Sequence, residues 1–295
     1  MNINFELYKV FYYVATTLSF SKASTKLFIS QSAVSQSIKT LEKNLNTTLF
    51  NRNTKRVTLT HEGELLLQHV EPAINLIHNG ENNIMETKAL NQGKIHIGAS
   101  DTICKYILLP YFKKFHSRYP NIHLQVTNRT SIRCVDLLKQ GNVDFIVTNI
   151  PNNNIDDSME VIEFLEFQDV FIAGNDFAEL RNKFVSLKEL LKYPLLMLEK
   201  NTTTSQYIYN VFKDNGLSLS PEIELTSIEL LVELAKINLG ISLVPDYCLQ
   251  DNLLEDVFPL EINEKLPRRG LAVVMKRDIP LSIAGKKFVE FISRG

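Results

Sequence analysis

Ser32, Ser35, Gln36 and Lys39 recur at intervals of three and four residues, so on a helix they share one face. That face offers hydroxyls, an amide and an ammonium, and it carries no acid. Short polar side chains and amides reach base edges or phosphates when a helix enters the major groove of DNA. A solvated face on an ordinary helical hairpin has the same composition, because helix-turn-helix geometry also occurs in folds that bind no nucleic acid.

Two short helices with a tight junction must present that face. In residues 19–38, Phe20, Ala23 and Leu27 are apolar at helical spacing. Ser30 stands where an N-cap belongs, and Gln31 opens the second helix. Val34, Ile38, Leu41 and Leu45 form its inward stripe, opposite the polar set. A first helix is expected over 4–17, with Leu7, Val10, Phe11 and Val14 inward. After the second helix of the pair, Asn51-Arg52-Asn53-Thr54-Lys55-Arg56 is a basic turn between the extended runs Leu49-Phe50 and Val57-Thr58-Leu59. Such a wing brings Arg52, Lys55 and Arg56 to phosphates or a narrow minor groove; a solvated hairpin tip is the plainer alternative.

Thr60 then caps a helix expected over 61–88, with Glu62 and Glu64 in its first turn. Val70, Ile77 and Ile84 repeat every seven residues, with Leu66, Ala73 and Ile74 between them, a pattern suited to burial against a copy of itself. Pro72 interrupts the hydrogen bonding there. Asn91-Gln92-Gly93 reads as a hinge. Beyond it strands and helices alternate, and a βαβαβ run over 94–148 predicts a parallel sheet covered by helices. Further strands are expected near 170–173, 195–198, 223–225, 241–244 and 270–275, with helices near 186–191, 205–215, 227–238 and 283–293.

The run from Phe5 to Thr60 resembles the N-terminal winged helix-turn-helix of LysR-type transcriptional regulators. The resemblance rests on Phe11 and Val14, on Ser19-Phe20-Ser21-Lys22-Ala23-Ser24, and on Ser30-Gln31-Ser32-Ala33-Val34-Ser35-Gln36. It continues through Leu41-Glu42, Leu49-Phe50-Asn51-Arg52, Val57-Thr58-Leu59-Thr60 and Gly63. Asn46 replaces the usual Gly after the recognition helix and tolerates the same left-handed turn; Ser37 replaces a longer polar side chain. The rest of the chain resembles the family by pattern. The fold implied is α/β: a winged helix-turn-helix over 1–60, a linker and dimerisation helix over 61–90, and a bilobal, periplasmic-binding-protein-like effector domain over 91–295. Its first subdomain would comprise 91–162 and 268–295, its second 163–267.

The resemblance implies DNA contacts by Ser21, Lys22, Gln31, Ser32, Ala33, Ser35, Gln36, Lys39, Arg52, Lys55 and Arg56. It implies effector contacts by Ser100, Thr102, Asn128, Thr148, Thr202 and Thr203. These last stand in polar runs after strands (Gly98–Thr102, Thr127–Thr130, Thr148-Asn149, Asn201–Ser205), where open α/β sheets bind ligands. Free N–H groups at helix starts suit a small, anionic effector, with Arg129 or Arg133 as charge partner and Asp101 as a repulsive neighbour. Each run read singly is also an ordinary N-cap. Implied partners are double-stranded DNA bearing an inverted repeat, a second copy of the chain, a tetramer of such copies, and RNA polymerase. No cofactor, metal or catalytic residue is implied.

Composition agrees with this reading and narrows the alternatives. The 295 residues are 44% hydrophobic and 22% charged, with net charge −1. Residues 1–60 hold eight Lys/Arg against two Asp/Glu, a basic head on an acidic remainder. No apolar run is long enough for a membrane span, and Met1–Glu6 lacks an export signal, so a cytoplasmic protein without a membrane partner is expected. Cys104, Cys134 and Cys248 are far apart, as reduced thiols are; a redox switch is the other reading. P-loop, GxGxxG, GxSxG and HExxH patterns are missing and the six histidines lack ligand spacing, which argues against an enzyme. A bilobal small-molecule receptor or an adaptor without specific DNA binding remains the alternative function.

Overall fold

Asn4, Ser19 and Ser30 each precede a helix, and each side chain accepts a backbone N–H from the first turn. The helices they start are α1 (Phe5–Thr17), α2 (Phe20–Leu27) and α3 (Gln31–Leu45). The computed structural model describes residues 3–53, 56–88, 93–249 and 256–293. The chain packs as two compact units, one of residues 1–85 with the segment 139–142, the other of the remainder.

In the first unit α1, α2 and α3 enclose a core of Phe11, Val14, Ala23, Val34, Ile38 and Leu41, all buried. Strands β1 (Phe50–Asn53) and β2 (Arg56–Leu59) pair antiparallel, Phe50 with Leu59. Glu42 fixes the start of β1: its Oε1 accepts the Leu49 N–H at 2.9 Å. Phe50 then packs its ring against Phe11 and Phe20, with centroids 5.5 and 5.9 Å apart.

Each of the three helices ends on a left-handed residue, Leu18, Phe28 and Asn46. Asn46 suits that conformation, as expected from the sequence. Phe28 does not: its Cβ crowds the backbone at φ 56°, and its ring is 93% exposed. Phe28→Asn should therefore raise stability by about 1 kcal/mol, read as a higher melting temperature of the full chain.

Helix α4 (His61–Lys88) begins as expected, with Thr60 Oγ1 accepting the Gly63 N–H at 3.0 Å, and it runs through Pro72. The expected apolar stripe divides. Val70 and Ile74 are buried in the core of the first unit, whereas Leu76, Ile77 and Ile84 are exposed. Gly63 is seated so tightly that a Cβ there would lie 2.2 Å from the Leu49 carbonyl oxygen. Backbone on backbone cannot yield cheaply, so Gly63→Ala should destabilise by about 2–3 kcal/mol, measured by chemical unfolding.

The second unit contains, in chain order, β3 (Gly93–Ala99), α5 (Asp101–Ile103), α6 (Leu109–Arg118), β4 (Ile122–Asn128), α7 (Ser131–Lys139), β5 (Phe145–Ile150) and β6 (Met159–Phe167). Then follow β7 (Asp169–Gly174), β8 (Phe184–Val185), α8 (Leu187–Leu190), β9 (Leu195–Leu198), α9 (Thr203–Asp214), β10 (Ile223–Leu225) and α10 (Ile228–Lys236). The chain continues with β11 (Ile241–Pro245), β12 (Val257–Pro259), β13 (Glu261–Ile262), β14 (Arg269–Lys276) and α11 (Ile283–Ser293). A π-helical turn, Cys104–Leu108, joins α5 to α6. Pro110, lacking an N–H, sits just beyond this change of register.

Two five-stranded sheets carry the second unit, in the orders β4-β3-β5-β14-β6 and β10-β9-β11-β7-β12. Both are mixed rather than parallel. β14 runs antiparallel to β5 and β6, and β7 antiparallel to β11 and β12. Strand β6 was not anticipated, because an edge strand bearing Glu160, Glu163 and Glu166 lacks the apolar run of a central one. The crossing between sheets expected near residue 162 falls inside β6; the chain leaves the first sheet after Phe167 and returns at Arg269. The expected hinge residues Asn91 and Gln92 lie outside the described residues, and Gly93 already belongs to β3.

Candidate functional site

The N-terminal turn of α3 is built to be presented. Ser30 Oγ accepts the Ala33 N–H at 3.1 Å and lies 2.9 Å from Ser32 Oγ. Gln31, Ser32, Ala33, Gln36 and Lys39 are exposed and Ser35 is half-buried, while Val34, Ile38 and Leu41 hold the opposite face in the core. Ser21 and Lys22 are exposed in the first turn of α2. Neither α2 nor α3 carries an acid in its first turn, so both positive helix ends are open to phosphate. Arg56 is exposed at the start of β2, and Arg52 is placed by its backbone pairing with Val57. Lys55, the remaining expected contact on the wing, lies outside the described residues.

In the second unit the expected effector residues form two groups. In the first, Ser100 Oγ accepts the Ile103 N–H at 3.3 Å, with Thr102 half-buried beside it in sequence. Asn128 donates from Nδ2 to Asp101 Oδ1 and accepts from Cys104 Sγ at 3.5 Å. Asp101 is thus already engaged by Asn128. The second group joins the two sheets. Asn149 Nδ2, on β5, reaches Thr203 Oγ1 of α9 at 3.5 Å. Thr148 is buried and accepts from Asn152 Nδ2 at 3.2 Å. Thr202 caps α9 through the Ser205 N–H at 3.2 Å.

The arginines expected to meet an anion are engaged elsewhere. Arg129 is exposed and donates to the Asn128 carbonyl, and Arg133 pairs with Asp136 at 3.2 Å on the surface. The buried cation is Arg269, unnoticed in the sequence. Its Nη1 lies 2.7 Å from Asp169 Oδ2 and 3.0 Å from Thr204 Oγ1. Asp169 opens β7 and Arg269 opens β14, so no local spacing links them. Burial pushes the Asp169 carboxyl up and the Arg269 guanidinium opposes that shift. Burial, with Asp169 adding to it, also pushes the neighbouring Tyr207 hydroxyl up to about 12.

The three cysteines are free, and burial pushes Cys104 up to about 11 and Cys134 up to about 12, which keeps both as thiols at neutral pH. Among the described residues no group of three or more His, Cys, Asp or Glu side chains is placed to hold a metal ion. No helix among them is long and apolar enough to cross a membrane.

Comparison with known proteins covers the whole chain. Residues 5–64 match the bacterial regulatory helix-turn-helix protein, lysR family, and residues 88–295 match the LysR substrate binding domain. The HTH-type transcriptional activator CmpR of Synechocystis sp. is 26% identical over 99% of this chain and 95% of its own length. Full-length OxyR from Pseudomonas aeruginosa has the same fold, with a TM-score of 0.74 at 17% identity over 99% of this chain and 95% of that one. Full-length CbnR, solved with its target DNA, matches with a TM-score of 0.67 at 17% identity over 99% of both chains.

Proposed function

Because this chain belongs to the LysR family of transcriptional regulators, with that family's DNA-binding helix-turn-helix and effector-binding domain, we propose that it regulates transcription from inverted-repeat promoter sites in response to a small carboxylate-bearing effector. The exposed, acid-free face of α3 carries this reading. Ser32, Ser35, Gln36 and Lys39 read base edges, with the exposed Ala33 methyl in apolar contact beside them, while Ser21, Lys22, Gln31, Arg52, Lys55 and Arg56 fix the head on the phosphates. The division of labour is a head over 1–60, a linker over 61–90 and an effector domain over 91–295. Leu76, Ile77 and Ile84, exposed along α4, fit burial against a second copy. That pairing delivers two heads to the two half-sites of an inverted repeat, and a tetramer delivers four.

The effector sits between the two sheets, against Thr148, Thr202 and Thr203, with Ser100, Thr102 and Asn128 at the rim. It changes DNA binding only to the extent that it prefers one arrangement of the domain over another. The relatives are regulators, and regulation without catalysis is the activity proposed here.

The test is binding of the full chain to duplex from its own upstream region, over a salt series and against scrambled duplex. Specific affinity that falls steeply as salt rises supports the reading. Binding that is weak and indifferent to sequence, both here and after selection from random duplex, would overturn it in favour of a receptor or adaptor.

A further inference from the structure

The Arg269–Asp169 pair lies where the chain passes between the two sheets, and both side chains are fully covered. Arg269 uses a single nitrogen for its bonds: Nη1 serves both Asp169 Oδ2 and Thr204 Oγ1. Its Nε and Nη2 have no hydrogen-bond partner, and neither do Asp169 Oδ1 or Asn149 Oδ1. The Nε–H and Nη2–H bonds are parallel donors on one edge of the guanidinium, the edge that grips a carboxylate with two bonds. A buried pair selected for stability alone would use that edge. Leaving two donors and two acceptors without a protein partner is costly, and such orphans call for an explanation in function.

The surroundings narrow what fits. The rings of Phe167 and Tyr207 lie 5.2 and 5.0 Å from the guanidinium carbon and restrict new bonds to its edge. Asn149 is held beside the same strand, paired in register with Leu271 on β14. Thr203 and Thr204 are the first residues of α9, so the positive end of that helix faces the same place. The charges of Arg269 and Asp169 already cancel. A simple anion would leave a net negative charge buried against Asp169, whereas a zwitterion adds none. Two carboxylate oxygens and an ammonium match, in kind, the two unused donors and the two unused acceptors.

We propose that the effector is an α-amino acid, its carboxylate on the Nε–Nη2 edge of Arg269 and its ammonium shared by Asp169 and Asn149. This rests on the reading that the second domain binds its effector between the two sheets. The covered pair is the resting arrangement, and the ligand enters as the sheets part.

The experiment is a thermal-shift and calorimetric titration of the full chain with the common L-amino acids, alongside specific promoter binding. Each hit is compared with its amide, its N-acetyl derivative and its α-hydroxy analogue. At least one amino acid should raise the melting temperature, and blocking either end should weaken binding by about tenfold or more. Arg269→Lys, which keeps the charge and loses the fork, should lose a similar factor. If it fails to fold, the double variant Asp169→Asn with Arg269→Gln, which keeps a neutral hydrogen-bonding pair, takes its place. The proposal is overturned if no amino acid binds, if an N-acetyl or α-hydroxy form binds as tightly as the amino acid, or if binding survives in the folded variant. Retained promoter binding in those cases leaves the regulator reading standing; lost promoter specificity in the wild type would remove that reading instead.

Discussion

Asp169→Ala should destabilise the second unit by about 3–5 kcal/mol, the largest loss expected from any single truncation described here. The reason is the charge left behind rather than the bond removed. The Arg269 side chain is fully buried, and Asp169, at 2.7 Å, is the charge partner described for it. Thr204 Oγ1 stays at 3.0 Å but offers a neutral acceptor. Two variants separate charge from volume. Asp169→Asn keeps an oxygen for Nη1 and should lose less than Asp169→Ala. Replacing both partners together, Asp169→Leu with Arg269→Met, removes the stranded charge and should recover much of the loss. Chemical unfolding of the full chain gives the order: double variant and Asp169→Asn above Asp169→Ala. An Asp169→Ala protein as stable as the wild type would mean that Arg269 is hydrated and not dry.

Gln36→Ala should weaken binding to the specific site by about 1–3 kcal/mol while leaving the fold and non-specific binding unchanged. Gln36 is exposed on α3, one turn beyond Ser32, and touches no part of the core that Val34 and Ile38 build. An amide there is a two-bond reader of a base edge, so its loss falls on sequence discrimination. Lys22→Ala is the contrasting case. It should weaken specific and scrambled duplex alike and reduce the salt dependence by about one ion. Competition titrations at several salt concentrations tell the two apart. If Gln36→Ala weakens both duplexes equally, Gln36 contacts the backbone and the reading of bases lies with its neighbours.

Most of the first unit was legible because its determinants are local. A cap acts on an N–H three residues away, as Ser30 and Thr60 do, and an apolar stripe declares itself within two helical turns. Asn46 marked the end of α3 for the same reason. The central strand β9, the edge strand β10 and the amphipathic helix α11 likewise fall where expected, since short apolar runs and amphipathic stripes are local signals.

The sequence alone therefore determined most of the elements, the polar face of α3, and the helix starts that follow the strand ends. Only the tertiary structure decided which of them meet. It took Val70 into the core of the first unit and left Ile77 and Ile84 exposed, although one heptad pattern contains all three. Strand β6 was recovered as an edge strand of the first sheet by pairing with β14, a partner about a hundred residues away. Asp169 and Arg269 came together across a similar separation, while Arg129 and Arg133, nearer the expected loops, went to local partners. A buried charge pair has no sequence period: it follows from where two crossovers between sheets pass each other, and that depends on the packing of the whole second unit.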